Sequence, residues 1–374
     1  MKTVKVQRFL DRVGGNVLAN VLAPFKSRER DGSSKNRSPK NILVINLWGM
    51  GDAVLTLPLI AEIKRRFPSA QLDVLATKRV DKVYAGVNYI NKILLLEDRK
   101  TFRYRRKYDL VFDTEHYLNS SALAAFYLGK ETIGYAHGQR AKLYTHTVEY
   151  NDAQHIVATY FDLLRVLFPE VKNPEKLVRL PYSDEDKKSV TGLLRNNDIR
   201  EDDFVVGFCV SAAESAPSRR WPKEKFAALA DELVENYQAR IVFVSGPNDF
   251  AENQAVFELM KHNSRALNPA KEMNVKRTFA LVEQCKLFIS NDTGPMHVAA
   301  AQGVPTVGLF CPNTPVRYGP YGSGNISVYK PVLSGPCINV HKGVVPDCEG
   351  HNHMSTIELE DVLEAVENVL KRKG

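Results

Sequence analysis

Two stretches of the sequence alternate short apolar runs with longer amphipathic segments, and this alternation restricts the fold more than any other feature. The runs that predict strands are 41–47, 72–76, 92–96, 109–113, 204–210, 240–245, 286–290, 304–310 and 326–329. The segments whose helical spacing predicts helices are 54–67, 120–128, 154–168, 222–237, 250–261, 275–284 and 295–302. Such alternation builds βαβ units, which place parallel strands in one sheet with helices on its faces. The sequence therefore predicts the α/β class.

The length of the chain and a polar, proline-containing segment between the two stretches predict two domains. A chain of 374 residues is too long for a single core. We expect an N-terminal Rossmann-like domain at 41–185, a C-terminal Rossmann-like domain at 186–355 and a final helix within 356–374. Two such domains with parallel sheets facing across a cleft form the GT-B architecture. Ligands then bind at the carboxyl ends of the strands.

The first 40 residues form a basic, amphipathic arm and linker. They carry ten Lys and Arg against three Asp and Glu, a net charge of +7, whereas the whole chain carries +8. The nearly neutral body argues against a nucleic-acid-binding protein. Apolar residues at helical spacing within 4–25 leave two alternatives. The helix either packs on the protein body or lies on an anionic membrane surface.

Two loops that follow predicted strands carry residues suited to chemistry. The loop 47–52 contains Gly49 and Gly51, which permit a tight turn, and ends in Asp52 at the start of a helix. Asp52 is either an ordinary first-turn carboxylate, stabilised by the helix dipole, or a general base that stays ionised. The loop 290–297 opens another helix, whose N–H groups suit a diphosphate. Its alternative is an ordinary capped helix.

Three motifs in order resemble glycosyltransferase family nine, the heptosyltransferase family. They are Gly-Met-Gly-Asp followed by proline at 49–58, Arg-Arg-Trp-Pro at 219–222 and Asn-Asp-Thr-Gly-Pro-Met-His at 291–297. The resemblance implies an inverting transferase that moves a sugar from a nucleotide-diphosphate sugar, usually heptose from ADP-heptose. The implied acceptor is the lipopolysaccharide core or a related glycan, on the cytoplasmic face of the inner membrane. No cofactor or metal is implied.

The resemblance also implies roles for individual residues. Asp52 matches the general base, in the domain that binds the acceptor. The residues that match the donor site are Ser211, Ala212, Arg219, Glu252, Met273, Asp292, Thr293, Gly294 and His297. Two of them depart from the pattern, since Ala212 lacks a hydroxyl and Arg219 replaces the more usual lysine. On the acceptor side we expect the loop glycines Gly49 and Gly51, together with His137 and Arg140.

Two other functions stay open, together with one group of metal-ligand residue types. A nucleotide-sugar epimerase of the same fold would need further acid/base residues, and a non-catalytic carbohydrate-binding or assembly subunit would need no general base. The group comprises Cys337, His341, Cys348, His351 and His353. Its residue types suit zinc or iron, but the spacing is not a standard zinc pattern. The sequence therefore favours a loop without a metal.

Overall fold

The computed structural model describes residues 2–25, 38–212, 216–332 and 353–372, and omits the side chains of residues 2–10 and 12. The chain divides into two compact units, Met1–Pro174 and Glu175–Gly374. The division lies before the predicted domain limit at 185, so residues 175–185 belong with the second unit. Each unit is described separately below.

The first unit contains a six-stranded parallel sheet. Its strands are β1 (Asn41–Ile45), β2 (Gln71–Ala76), β3 (Lys92–Leu95), β4 (Tyr108–Asp113), β5 (Gly129–Tyr135) and β6 (His146–Val148). Its helices are α1 (Lys2–Leu22), α2 (Met50–Arg66), α3 (Asp81–Tyr84), α4 (Asn119–Leu128) and α5 (Ile156–Arg165). The strand order is β3-β2-β1-β4-β5-β6, and every neighbouring pair is parallel. The order reverses between β1 and β4, where parallel sheets of this kind bind ligands.

The second unit repeats this arrangement. Its strands are β7 (Val205–Cys209), β8 (Arg240–Phe243), β9 (Ala266–Leu267), β10 (Leu287–Asn291), β11 (Thr306–Phe310) and β12 (Ile326–Tyr329). Its helices are α6 (Asp184–Asn196), α7 (Lys223–Tyr237), α8 (Phe250–Phe257), α9 (Val275–Glu283), α10 (Gly294–Gln302), α11 (Pro315–Tyr318) and α12 (Leu359–Lys371). The parallel strands have the order β12-β11-β10-β7-β8-β9. Here the order reverses between β7 and β10.

Each unit has its own apolar core, which explains why the central strands are recognisable in the sequence. The β1 residues 42–45 have no exposed surface, as expected for a strand covered by helices on both faces. In the second unit the final helix α12 adds Val362 and Val366 to the core around β7 and β10. The α/β class predicted from the sequence is confirmed.

The structure contains elements that the sequence pattern did not predict. Strands β5, β6 and β9 were not recognised. Helix α6 lies in a segment interpreted as a polar crossing between domains. It begins with a capping box, in which Ser183 accepts from the backbone of Asp186 and the Asp186 carboxylate accepts from the backbone of Ser183. Only Val190 and Leu194 are buried along it, so it lacks a strong apolar stripe.

Helix α1 packs on the first unit through one of its faces. The Asp11 carboxylate accepts hydrogen bonds from the backbone N–H groups of Asn119 and Ser120, at 2.9 and 2.8 Å. Gly15 lies against the Asn119 side chain and Ala19 is buried. The structure therefore shows α1 packed on the protein body, which is one of the two alternatives that the sequence left open. The opposite face of α1 is apolar and exposed.

Candidate active site

The carboxyl ends of β1 and β4 are joined by Asn46. Its side-chain amide donates to the hydroxyls of Thr56 in α2 and Thr114 after β4, at 3.2 and 3.3 Å. The Thr114 hydroxyl in turn donates to the backbone oxygen of Ile45, at 2.7 Å. These buried bonds fix the start of α2 beside the end of β4, at the point where the strand order reverses.

Asp52 lies in the first turn of α2, directly after the predicted glycine loop. Gly49 is the residue that precedes the helix, and Gly51 lies within its first turn. A side chain at Gly49 would place its Cβ 3.1 Å from the Asp52 carboxylate, which leaves little room beside that group. The Tyr160 hydroxyl of α5 donates to Asp52 Oδ1 at 3.4 Å. The structure thus holds a carboxylate at the strand ends of the first unit, with a tyrosine against it.

Glu115, which the sequence analysis did not select, lies close to Asp52. Its side chain is buried, and Oε1 accepts a hydrogen bond of 2.5 Å from the backbone N–H of Leu47. Burial raises the pKa of the Glu115 carboxyl to about 8, and the charges of Asp52 and Asp113 add to this effect. Glu115 is therefore mainly protonated at neutral pH. Its position two residues after β4 was the signal in the sequence.

A series of aromatic contacts connects the glycine loop with His137. The rings of Trp48 and Tyr117 are 5.2 Å apart, and Tyr117 lies 5.1 Å from His116. His116 stacks on Tyr150 at 5.2 Å, and Tyr150 contacts His137 at 5.6 Å. The structure thus brings His137 to the same edge of the sheet as the glycine loop. Aromatic faces at strand ends suit the apolar faces of sugar rings.

Burial affects His137 and Arg140 in different ways. Burial, together with the nearby Arg140 charge, lowers the pKa of His137 below its ordinary value, so the ring is neutral at pH 7. Arg140 is only 2% exposed, and its guanidinium group donates to Asp113 and Ser121 inside the unit, at 3.0 and 3.1 Å. The contact of Arg140 with an acceptor stays a prediction, which this burial does not favour.

In the second unit Asn291 joins the carboxyl ends of β7 and β10. Its side-chain amide donates to the backbone oxygen of Val210 at 2.8 Å, and its Oδ1 accepts from the backbone N–H of Trp221 at 3.0 Å. Asn291 is fully buried. The loop after β7 and the loop after β10 are therefore held side by side where the strand order reverses. This brings the Arg-Arg-Trp-Pro motif against the start of the 291–297 motif.

Asp292 is the buried centre of the polar contacts in this region. Arg219 Nη1 is 3.3 Å from Asp292 Oδ2, and Asn313 donates to the same oxygen at 2.8 Å. Arg219 also donates to the backbone oxygen of Asp292, at 3.4 Å. Asp292 therefore orients a cation and an amide beside the start of α10. Asn313 follows β11 and was not identified from the sequence.

The start of α10 has the geometry of an anion site. Thr293 precedes the helix and Gly294 begins it, while Pro295 occupies its first turn. The Thr293 side chain makes no capping hydrogen bond. Arg219, which contacts Asp292 just before this helix, has a buried Nε with no hydrogen-bond partner among the described residues. A helix start with an adjacent unpaired donor fits a phosphate group.

The other predicted donor residues lie around the ends of β7 and β8. Ser211 and Ala212 follow β7 and are buried. Glu252 lies in the first turn of α8, where its Oε1 is 2.6 Å from Arg220 Nη2. Met273 is buried and follows the turn Ala270–Glu272, which packs beside the turn Pro247–Asp249 that precedes α8. The structure thus places these side chains along one strand edge of the second unit.

The structure describes His297 but only one residue of the Cys/His group. His297 is buried in α10, with its ring 6.4 Å from that of Tyr318. Of the Cys/His group, Cys337, His341, Cys348 and His351 lie outside the described residues, whereas His353 is described. Within the described ranges, no group of three or more Cys, His, Asp and Glu side chains is arranged to hold a metal ion. None of the helices described there has the length and apolar character of a membrane span.

Comparison with known proteins gives consistent matches. The model of the family described as glycosyltransferase family 9 (heptosyltransferase) matches residues 99–342. A lipooligosaccharide heptosyltransferase 2 from Haemophilus ducreyi is 27% identical over 85% of this chain and 95% of its own length. The crystal structure of a family 9 glycosyltransferase from Veillonella parvula has a TM-score of 0.74 at 23% identity, covering 89% of this chain and 97% of that one.

A second solved structure has a similar fold and contains a nucleotide-sugar analogue. It is the heptosyltransferase WaaC of Escherichia coli with ADP-2-deoxy-2-fluoro heptose, which has a TM-score of 0.64 at 17% identity and covers 88% of this chain and 99% of that one. The likeness of these structures confirms the GT-B fold. Together with the family match, the comparisons favour the transferase over the epimerase and the binding subunit. The sequence prediction of a glycosyltransferase is confirmed.

Proposed function

Because the chain belongs to glycosyltransferase family 9 (heptosyltransferase), we propose that it moves a heptose from ADP-heptose onto a lipopolysaccharide core or a related glycan. One observation carries the donor half of this proposal. The start of α10 lies beside Arg219, which Asp292 orients at 3.3 Å and whose Nε is buried without a hydrogen-bond partner among the described residues. A nucleotide diphosphate carries the negative charge that a helix start and an arginine bind. The similar structure solved with an ADP-heptose analogue supports the choice of sugar and nucleotide.

The proposed reaction is a single displacement with inversion. The acceptor hydroxyl loses its proton to Asp52, and its oxygen forms a bond to the anomeric carbon. The bond from that carbon to the diphosphate breaks, and ADP leaves with the electron pair. The N–H groups at Thr293 and Gly294, with Arg219, stabilise the charge that develops on the diphosphate. Ser211, Ala212, Glu252, Met273 and His297 complete the proposed donor site, which needs no metal.

The test separates donor binding from chemistry. We expect Asp52→Asn to bind ADP with wild-type affinity in calorimetry and to lose transfer by about 10²–10⁴-fold, the usual contribution of a general base. Asp184→Asn is the matched control, since Asp184 is an exposed first-turn aspartate of α6. Transfer at the wild-type rate by Asp52→Asn would exclude the assigned base. A wild-type chain that alters the donor without an acceptor would instead indicate an epimerase.

For the acceptor we propose the strand edge of the first unit. Gly49 and Gly51 shape the loop, and the aromatic side chains from Trp48 to His137 provide faces for a sugar. Gly49→Val should therefore raise the KM for the acceptor more than the KM for the donor, because its side chain would press on the Asp52 carboxylate. Equal changes in both constants would contradict this assignment.

We also propose that the protein is cytoplasmic and attaches to the anionic inner face of the membrane through residues 1–40. The exposed face of α1 supports this proposal: Val17 and Val21 are both 59% exposed, and Phe25, in the turn that follows α1, is 74% exposed. The arm adds a net charge of +7. A basic arm that contains an amphipathic helix binds anionic surfaces through both its apolar face and its charge.

Vesicle sedimentation tests the membrane proposal. Vesicles with about one third phosphatidylglycerol should retain the protein at low salt, and neutral phosphatidylcholine vesicles should not. The double variant Val17→Asp with Val21→Asp should lose this binding. Val316→Asp changes a similarly exposed valine of the second unit and serves as control. Unchanged binding of the double variant would exclude α1 as the contact.

A further inference from the structure

Arg220 forms an ion pair that joins two strand ends of the second unit. Its Nη2 is 2.6 Å from Glu252 Oε1, and the same nitrogen donates to the backbone oxygen of Ala212 at 3.4 Å. Arg220 lies after β7, and Glu252 lies in the first turn of α8, after β8. The pair therefore connects the loop beside the proposed diphosphate site with the element that follows the second strand of the sheet.

The position of Glu252 suits the ribose of a nucleotide. In a Rossmann-like sheet, an acidic side chain beyond the second strand accepts hydrogen bonds from ribose hydroxyls. A glutamate in the first turn of a helix has three side-chain torsions and samples several orientations. The Arg220 guanidinium fixes the position of one carboxylate oxygen, which limits those orientations before a ligand arrives.

The ion pair is partly exposed, so its contribution to folding is small. The Arg220 and Glu252 side chains are 34% and 33% exposed, and pairs of this kind add little to stability. The residue before Arg220 is bonded to Asp292 instead, so the two arginines have different partners. Arg219 therefore lies beside the proposed diphosphate site, whereas Arg220 is directed at the carboxylate of Glu252.

We propose that Arg220 is a positioning residue, which orients Glu252 to accept from a ribose hydroxyl of the donor nucleotide. The inference rests on the proposed use of a nucleotide sugar and adds the residue that sets its preference for ribose. It follows that the loss of Arg220 reduces discrimination between ribose and deoxyribose nucleotides. The loss of a direct phosphate contact would weaken both kinds of nucleotide equally.

Calorimetric titration of the full chain with ADP, 2′-deoxy-ADP and 3′-deoxy-ADP tests this proposal. The wild type should bind ADP about tenfold or more tightly than the deoxy analogue that binds more weakly, as expected for a hydrogen bond to a charged group. Arg220→Ala and Glu252→Gln should each reduce this preference to about twofold or less, and the double variant should reduce it no further. Arg220→Lys should restore part of it, because a lysine pairs with the carboxylate through a single ammonium group.

Arg179→Ala is the matched control, since Arg179 pairs with Glu283 in the same unit and should leave the preference unchanged. Urea unfolding of each variant shows whether the fold is kept. Three results would overturn the inference and leave the proposed transfer intact. They are equal weakening of all three nucleotides by Arg220→Ala, a ribose preference that Arg220→Ala leaves unchanged, and a wild type that does not discriminate among the nucleotides. If the wild type binds UDP and not ADP, UDP and its 2′- and 3′-deoxy analogues give the same test. A wild type that binds neither diphosphate overturns the proposed function as well.

Discussion

The buried carboxyl of Glu115 illustrates how a side chain supports a site without carrying a charge. It accepts from the backbone of Leu47, at the beginning of the loop that leads to Asp52. Burial, followed by the nearby charges of Asp52 and Asp113, raises its pKa to about 8 from an ordinary value of 4.5. At neutral pH it holds the loop and adds no second negative charge beside Asp52.

The raised pKa of Glu115 predicts a pH dependence of stability. The unfolded chain loses the Glu115 proton near pH 4.5, whereas the folded chain keeps it until about pH 8. The stability that this group contributes is therefore fully present below pH 4.5 and is lost as the pH rises to about 8. The maximal slope is about 1.4 kcal/mol per pH unit for one proton.

We expect Glu115→Gln, which cannot ionise, to remove that slope. Urea unfolding at several pH values should give a free energy of unfolding that exceeds the wild-type value increasingly from pH 5 to pH 8. Transfer activity at pH 7 should be close to normal, since glutamine can also accept from Leu47. A constant difference between the two proteins across this pH range would show that Glu115 is already ionised in the fold.

The site residues that could be predicted from the sequence have local sequence signals, and those that were missed do not. Asp52 and Asp292 lie in loops with glycines and helix starts, which are local signals. Glu115 and Asn313 follow strands but lie outside the recognised motifs. Arg220 lies within Arg-Arg-Trp-Pro, but the motif does not show that Glu252 is its partner. Their roles depend on which strand ends are neighbours, and that becomes visible only once the strand order is known.

At the scale of elements, α4 depends on α1 for its N-terminal cap. The residue before α4 is Leu118, which cannot cap, and the Asp11 carboxylate accepts from two of the first backbone N–H groups instead. Asp11→Ala should therefore lower the free energy of unfolding by about 1 kcal/mol, the usual effect of losing a cap. Denaturant titration measures it. Asp11→Asn should lose less because it keeps an acceptor, and equal stability of wild type and Asp11→Ala would mean that α1 does not dock on α4.

The elements missed in the sequence lack a long apolar run or stripe. Strand β5 includes Lys130 and Glu131 and places Gly134 where a side chain would overlap the ring of Tyr144, so its composition is unlike that of a buried strand. Strands β6 and β9 have three and two residues, too few for a pattern. The polar helix α6 lacks an apolar stripe. Continuous apolar runs identified the central strands, whereas short or polar elements depend on the neighbours they pair or pack with.

At the scale of the whole molecule, two sheets with separate cores account for the unfolding behaviour we expect. The units repeat one strand order but bury different side chains, so the sequence shows the repeated alternation without a repeated motif. The α/β class followed from that alternation. The division between Pro174 and Glu175 did not, because α6 was interpreted as a linker.

Each unit contains one of the two tryptophans, which allows the two cores to be followed separately. Trp48 lies in the first unit, and Trp221 is buried in the second, where its indole N–H donates to Ile357. If ADP binds only the second unit, a concentration of about 100 times Kd stabilises that unit by about 2.7 kcal/mol. Fluorescence-detected unfolding of Trp48→Phe, which reports Trp221, should therefore shift with ADP. The transition of Trp221→Phe, which reports Trp48, should stay unchanged once calorimetry shows that this variant still binds ADP. An equal shift in both variants would mean that the two cores unfold as one cooperative body, because binding to one unit then stabilises the other.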